Sequence, residues 1–322
     1  MFGKTIVIVN YHYIRAEQCD NGIHAISIEG FSKQLDLIAG EGYQFISLED
    51  LHRAICRKNM DFLSHKACLV TFDDGLKESY VHGVDVLDRK GIPAVFYIVT
   101  DPIVEQKVLP VHKFHYARKM MSDDEIWGFI TEKFDLPGTA VAEDVLMEQY
   151  PWDSPSSARL KYLLNFQLAQ EQQVRVVNYL FQMAYPNDES AYANDLYMDQ
   201  DQIIDLAQRG YLGTHSQQHK VLSILSEDAI RNDLKNSMDV IFSLTGKRVS
   251  SVSYPYGGYT AVTENIGKIC RDLGMISGVT MFRGINTIND IMYRNMMLKR
   301  VDMNDMLGGK SEKVYKELAY GV

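Results

Sequence analysis

Asp73 and Asp74 close an apolar run, Cys68-Leu69-Val70-Thr71-Phe72-Asp73-Asp74-Gly75, and far downstream His215 and His219 stand four apart in His215-Ser216-Gln217-Gln218-His219. Two imidazoles and one carboxylate make a three-ligand set for a divalent cation and leave positions open for water and substrate. The second carboxylate is then spare. A water polarised by a cation needs a base that is not itself consumed as a ligand, so the surplus points to metal-assisted hydrolysis. The spacing of the histidines predicts both on one face of a helical turn. The run before Asp73 predicts a buried strand. Gly75 permits a sharp turn after it, so the two carboxylates can approach one site from different sides. Each feature alone also fits an ordinary surface turn, since Asp-Asp-Gly is common in loops and histidine pairs occur on surfaces. Both fall at predicted strand ends, which favours one shared site.

The elements that must position these residues alternate. Strands are predicted at 6–9, 44–46, 67–72, 94–99, 211–214 and 252–254, with weaker candidates at 276–279 and 297–301. Helices are predicted at 31–39, 81–90, 202–209, 226–244 and 264–273, and Gly91, Gly246 and Gly274 sit where helices end. Ser47 opens another helix, with Asp50 in place of the usual capping-box Glu. Strand–helix–strand repetition implies parallel strands joined by right-handed crossovers, whose C-terminal ends are where barrel active sites lie. From about 101 to 198 no β-rich run occurs. That segment reads as a largely helical insertion, cut by Pro137-Gly138, Pro151, Pro155 and Pro186. A capping box at Ser122-Asp123-Asp124-Glu125 opens one of its helices, and one or two more span 158–184.

The chain has 322 residues, which one α/β barrel with an insertion can fill. Hydrophobic residues make up 46% and charged residues 23%, a balance that argues against disorder. The net charge of -9 disfavours a nucleic-acid surface. The four cysteines, Cys19, Cys56, Cys68 and Cys270, form no CxxC pair, so they read as reduced and mostly buried thiols. No apolar stretch approaches the ~20 residues of a membrane span, and residues 1–10 make a poor signal peptide. The expectation is a soluble, cytoplasmic protein.

Three segments together, Thr71-Phe72-Asp73-Asp74-Gly75, His215-Ser216-Gln217-Gln218-His219 and Ser253-Tyr254-Pro255-Tyr256-Gly257, resemble the first three motifs of the polysaccharide deacetylases, the NodB-homology group or carbohydrate esterase family 4. Their order and strand context agree. The resemblance covers about 1–100 and 199–302 and leaves the middle segment outside. It implies a distorted (β/α) barrel forming one catalytic domain over 1–322, with the helical insertion at about 101–198. It also implies a divalent metal, usually Zn2+ with Co2+ or Ni2+ as substitutes, and hydrolysis of an N-acyl group on a sugar. Carried over, Asp74, His215 and His219 become the ligands and Asp73 the general base. A backbone N–H at Tyr256 would face the developing oxyanion, with Pro255 and Gly257 shaping that substrate-binding loop.

The pattern departs from the family in two places. Many members carry an Arg before the third motif's proline, where Ser253 and Tyr254 stand here. Arg300, in Leu298-Lys299-Arg300-Val301-Asp302, is grouped with the substrate-binding residues. It is also a candidate to replace the missing Arg by pairing with Asp73 and keeping it ionised; a plain surface or structural Arg fits equally. No late Leu-x-x-His segment supplies a general acid. Tyr11-His12-Tyr13 instead resembles the Tyr-His motif that opens a sub-branch acting on exported or surface glycans, which implies His12 as the acid. A structural strand-end histidine is the alternative. His112 and His115, at the start of the insertion, read mainly as structural.

The function so implied is removal of an N-acetyl group from a sugar. The substrate expected is a small-molecule, nucleotide-linked or lipid-linked precursor in bacterial surface polysaccharide biosynthesis, such as O-antigen or capsule. An N-deformylase, an O-deacetylase or another amidase would use the same groups. A catalytically silent sugar-binding protein is the reading from a different class.

Overall fold

The computed structural model describes residues 3–16, 23, 25–136, 141–150, 153–312 and 315–316. Cys19, Pro137-Gly138 and Pro151, read above as a thiol and as helix breaks, lie outside the described residues. Seven strands form a closed, all-parallel barrel: β1 (Thr5–Tyr11), β2 (Lys66–Phe72), β3 (Ala94–Ile98), β4 (Leu212–Thr214), β5 (Ser251–Ser253), β6 (Ser277–Arg283) and β7 (Leu298–Asp302). Each strand pairs with the next in sequence, and β1 pairs with both β2 and β7, which closes the sheet. A register shift between Leu298 and Arg300 distorts the β6–β7 pairing. The expected distorted (β/α) barrel is the observed architecture.

Strand alternation sorts the side chains into two layers. Val7, Val9, Tyr11, Cys68, Val70, Phe72, Phe96 and Ile98 pack in a core with the surrounding helices. Ile6, Ile8, Ala67, Leu69, Val95, Tyr97, Val279 and Leu298 form a second core with Ile46, Leu51 and Ala54. Continuing the second set by twos leads to Asn10, Thr71, Asp73 and Arg300, all buried. The same face of each strand is therefore apolar for most of its length and polar at its C-terminal end.

Local signals explain the helix ends. Ser47 and Asp50 form a reciprocal capping box for the helix Leu48–Arg57. Ser226 caps Glu227–Thr245, which ends at Gly246 with φ 68°. The helix expected at 81–90 begins as a wider π-helical turn over Ser79–Val84 and becomes α-helical over Asp85–Lys90. Among the described residues Cys68 and Cys270 are buried free thiols and Cys56 is an exposed one, in keeping with mostly buried thiols.

The chain divides into two compact units. One holds the barrel, and the other is built on Gln106–Ala193. The second unit's helices are Pro110–Met120, Asp123–Lys133, Glu143–Gln149, Pro155–Tyr162 and Gln170–Ala184. Phe114, Ala117, Ile126, Ile130, Leu160, Leu163, Leu164, Val176, Val177 and Leu180 form its core. The Ser122–Glu125 capping box is present. A π-helical stretch, Leu163–Gln167, separates the two helices within 158–184. His112 is buried in the first of these helices. No helix among the described residues is long and apolar enough to cross a membrane.

Candidate metal centre and acid–base site

The backbone separates the two aspartates. Asp73 still belongs to the sheet: its N–H donates to the Tyr11 carbonyl at 3.1 Å. Asp74 turns out of it, with φ 74°, followed by Gly75 at φ 71°. A left-handed conformation is uncommon for a residue with a side chain, though Asp tolerates it better than most. Gly75 is required there for space as well as angle, since a Cβ would lie 3.2 Å from two atoms of the Ile98 side chain. The turn sends Asp74 towards the histidines and leaves Asp73 on the inward face of the barrel.

His215 and His219 do meet Asp74, but not through a helix. Residues 215–219 form a loop, with Ser216 at φ 69° and His219 at φ 54°. The expected helical turn is corrected by this geometry: two left-handed residues bring the rings together, 4.9 Å between centroids. Asp233, on the buried face of Glu227–Thr245, braces the loop. Its carboxylate accepts from the N–H groups of Gln217 at 3.0 Å and Gln218 at 3.1 Å. Ser237, one turn on, donates to the Ser216 carbonyl at 3.1 Å. Sequence reading missed both residues. Their signal was an acid and a serine in a stripe otherwise formed by Ile230, Leu234 and Ile241.

The three side chains fit a divalent cation. One ligand atom each from Asp74, His215 and His219 lies within 4.8 Å of the others, the group of this kind found among the described residues. His215 Nε2 and His219 Nε2 stand 3.5 and 3.4 Å from Asp74 Oδ1. The His215 Nδ1–H donates to the Ser253 carbonyl at 2.7 Å, an oxygen that can only accept, so Nε2 is bare towards Asp74. Burial pushes His215 from the ordinary 6.5 down to about 4, which keeps the ring neutral as a ligand must be.

Asp73 is held apart from this set by a fixed cation. Arg300 donates Nη1 to Asp73 Oδ1 at 2.9 Å and Nη2 to Oδ2 at 2.7 Å, a bidentate pair with both side chains buried. Ser253 Oγ donates to Asp73 Oδ2 at 3.1 Å. Burial alone would raise the Asp73 carboxyl, but Arg300, then His215 and His12, outweigh it and hold it below the ordinary 3.8. Arg300 therefore takes the pairing role expected of it. Its place among substrate contacts is corrected: it is buried, its Nε donates to the Thr280 carbonyl at 2.8 Å, and its Nη1 also donates to Asn10 Oδ1 at 2.8 Å. Ser253, standing where the family's Arg is usual, serves both sides of the site. Its hydroxyl holds the base and its carbonyl orients a metal ligand.

The third motif forms the next wall. Pro255 is buried, and Tyr256 is 42% exposed with φ 62°. The Tyr256 ring lies 5.1 Å from that of His219. The Gly257 carbonyl accepts from the Met281 N–H at 2.9 Å, and a Cβ at Gly257 would fall 2.7 Å from that nitrogen. Only glycine allows the loop to dock this closely on β6. His12 follows β1 directly, and its carbonyl accepts from Ser79 Oγ at 2.5 Å. The structure thus gathers Asp73, Asp74, His215, His219, Arg300 and the Pro255–Gly257 loop at one end of the barrel, with His12 just past the end of the neighbouring strand.

A model of the polysaccharide deacetylase family matches residues 63–127 and 166–275, more than half of the chain. The match reaches into both flanks of the 101–198 segment, further than the three motifs suggest. No curated protein matches in sequence. Among solved structures, a Streptococcus pyogenes deacetylase, PplD, in complex with acetate aligns over 98% of both chains at 17% identity and a TM-score of 0.59. IcaB from Ammonifex degensii aligns over 93% of this chain and 91% of its own, at 17% identity and 0.56. A de-N-acetylase from Aggregatibacter actinomycetemcomitans aligns over 96% and 99%, at 15% identity and 0.55. At these identities the likeness is one of fold.

Proposed function

The chain belongs to the polysaccharide deacetylase family, and on that premise we propose that it is a divalent-metal-dependent N-deacetylase acting on an N-acetylated sugar. The observation that carries this reading is the division between Asp74, which converges with His215 and His219, and Asp73, which is kept ionised by Arg300. A divalent cation on the first set, most simply Zn2+, would polarise the amide carbonyl and acidify a water. Asp73 then serves as the base. Three hydrogen bonds fill most of its about four acceptor sites and leave room for one more, the proton of the attacking water. The water oxygen bonds to the carbonyl carbon, and the backbone at Tyr256 stabilises the oxyanion. The C–N bond breaks with its electron pair on nitrogen, and His12 protonates the departing amine. Acetate and a free amino sugar result.

For the substrate we propose a nucleotide-linked or lipid-linked precursor of a surface glycan such as O-antigen or capsule, met in the cytoplasm. The test is release of acid and amine from nucleotide-linked N-acetyl sugars, lipid-linked sugars and N-acetylated oligosaccharides, with Zn2+ or Co2+ added. Acetate from the linked precursors supports the proposal. Acetate from oligosaccharides alone relocates the substrate, and formate in place of acetate rejects deacetylation. No acid from any substrate, with no metal bound, would make the protein a binding module.

A further inference from the structure

Tyr259, two residues past the Gly257 that docks on β6, is 78% exposed, the most open large aromatic side chain among the described residues. It is nevertheless held in place. Its ring lies flat on that of Phe282, with 4.0 Å between centroids and the planes 12° apart. Phe282 is buried in a core shared with Leu222, Ala261 and Val262. One face of Tyr259 is therefore covered by a fixed ring, and the other is open. The backbone around it is tied on both sides: the Met281 N–H donates to the Gly257 carbonyl at 2.9 Å, and the Ser223 hydroxyl donates to the Thr260 carbonyl at 2.6 Å. Phe282 is the penultimate residue of β6, so the stacked pair stands at the strand end where the site lies. Tyr256, whose ring is 5.1 Å from that of His219, is three residues away, and three residues of chain reach at most ~11 Å. The open face is thus near the ligand set but beyond the wall that Tyr256 forms.

We infer that the open face of Tyr259 is a stacking platform for a second sugar ring of the substrate, linked to the ring that loses its acetyl group. The inference rests on the deacetylase reading above and names its substrate class, an N-acetylated oligosaccharide of two or more rings. An aromatic face is the negative side of the ring's quadrupole. The flat side of a pyranose presents weakly positive C–H groups, while its hydroxyls point outwards to water. The two surfaces match, and the contact asks for no particular pattern of hydroxyls. Because Phe282 already fixes the Tyr259 ring, little side-chain freedom is lost when a sugar arrives. Of the precursors proposed above, a lipid-linked oligosaccharide carries a second ring, whereas a nucleotide-linked monosaccharide does not.

The test is an NMR titration of the full chain labelled at its tyrosine rings, with the Tyr259 signal assigned through Tyr259→Phe. The probes are N-acetylglucosamine, N-acetylchitotetraose and UDP-N-acetylglucosamine. The titration is run in the Asp73→Asn protein, so that binding is read without turnover, while acid release by the wild type reports on the deacetylase reading separately. The tetramer is expected to shift Tyr259 and to bind more tightly than the monomer. Tyr259→Ala should raise the Kd of the tetramer about 3- to 10-fold and remove that advantage. Tyr259→Phe, which keeps the flat face, should retain it. A tetramer that fails to bind, leaves Tyr259 unmoved or binds Tyr259→Ala equally well overturns the inference. So does a Tyr259 shift with UDP-N-acetylglucosamine alone, which would give the face to a nucleobase. Tetramer bound through Tyr259 with no acid released by the wild type would keep the platform and reject the deacetylase reading.

Discussion

On the side of the barrel mouth built by the turn after β2 and the loop after β4, ligand atoms of Asp74, His215 and His219 converge within 4.8 Å of one another, and three of the backbone positions that place them, Asp74, Ser216 and His219, are left-handed. On the side built by β1, β2 and β7, Asn10, Asp73 and Arg300 sit on or directly after strands and are tied together by hydrogen bonds of 2.8, 2.9 and 2.7 Å. On the proposed function, the first side would hold a cation taken up from solution. The second carries its own cation, Arg300, permanently. A ligand set can tolerate loops because a bound cation would draw the donors together, and Asp233 supplies bracing until then. A general base has no such help and needs a rigid setting with a paired counter-charge to stay ionised while buried. The difference suggests that substitutions on the two sides will separate metal retention from turnover.

The largest effect is expected from Asp73→Asn. Removing the base should lower kcat by about 10²–10⁴, while isothermal titration with Zn2+ or Co2+ shows the ligand side intact. Arg300→Met should follow. It leaves a buried carboxylate without its counter-charge, at a cost of about 3–5 kcal/mol in denaturant unfolding. The same variant has a pH signature. In the native protein Asp73 titrates below the ordinary 3.8, so its contribution to stability is present above that value and is lost as pH falls through the lower folded value. Without Arg300, burial dominates and the Asp73 carboxyl rises. The acid limb of the rate profile should therefore move to higher pH; an unmoved limb would mean that Asp73 is not the base.

Asp233→Leu attacks the other side. It strips the acceptor from two loop N–H groups and should weaken metal binding about 10- to 100-fold, with a stability loss of about 1–3 kcal/mol. The smallest effect is reserved for the Gln106–Ala193 unit. Ser122→Ala breaks its capping box and should cost about 1 kcal/mol, read by hydrogen exchange in the helix Asp123–Lys133. Metal binding should be untouched.

How much of this was legible in the sequence followed the range of the interactions. Strands ending just before Asp73 and His215, capping at Ser47 and Ser122, and the glycine helix ends at Gly91 and Gly246 are local, and periodicity or cap chemistry exposed them. The barrel's closure was implied by repetition and family resemblance. The histidine loop was misread because a four-residue spacing has two solutions, a helical turn or a loop with left-handed residues, and composition does not choose between them. Asn10, Ser253 and Asp233 were missed because their roles depend on partners brought near only by the barrel. Asn10 meets Arg300 from the far end of the chain, and Ser253 meets Asp73 across the interior. A usable signal existed for each: a polar residue at a position whose period predicts burial. Arg300 was found as a partner for Asp73, yet its burial, which bars it from substrate, depends on closure of β7 against β1.

The most direct test of the central claim, that Asp74, His215 and His219 hold a metal while Asp73 moves the proton, is metal content and acid release measured side by side on wild type, Asp73→Asn and His215→Gln. Asp73→Asn is predicted to keep its divalent cation and release almost no acetate, and His215→Gln to lose both. Acetate release at the wild-type rate by Asp73→Asn, or loss of the cation from that variant, would contradict the account.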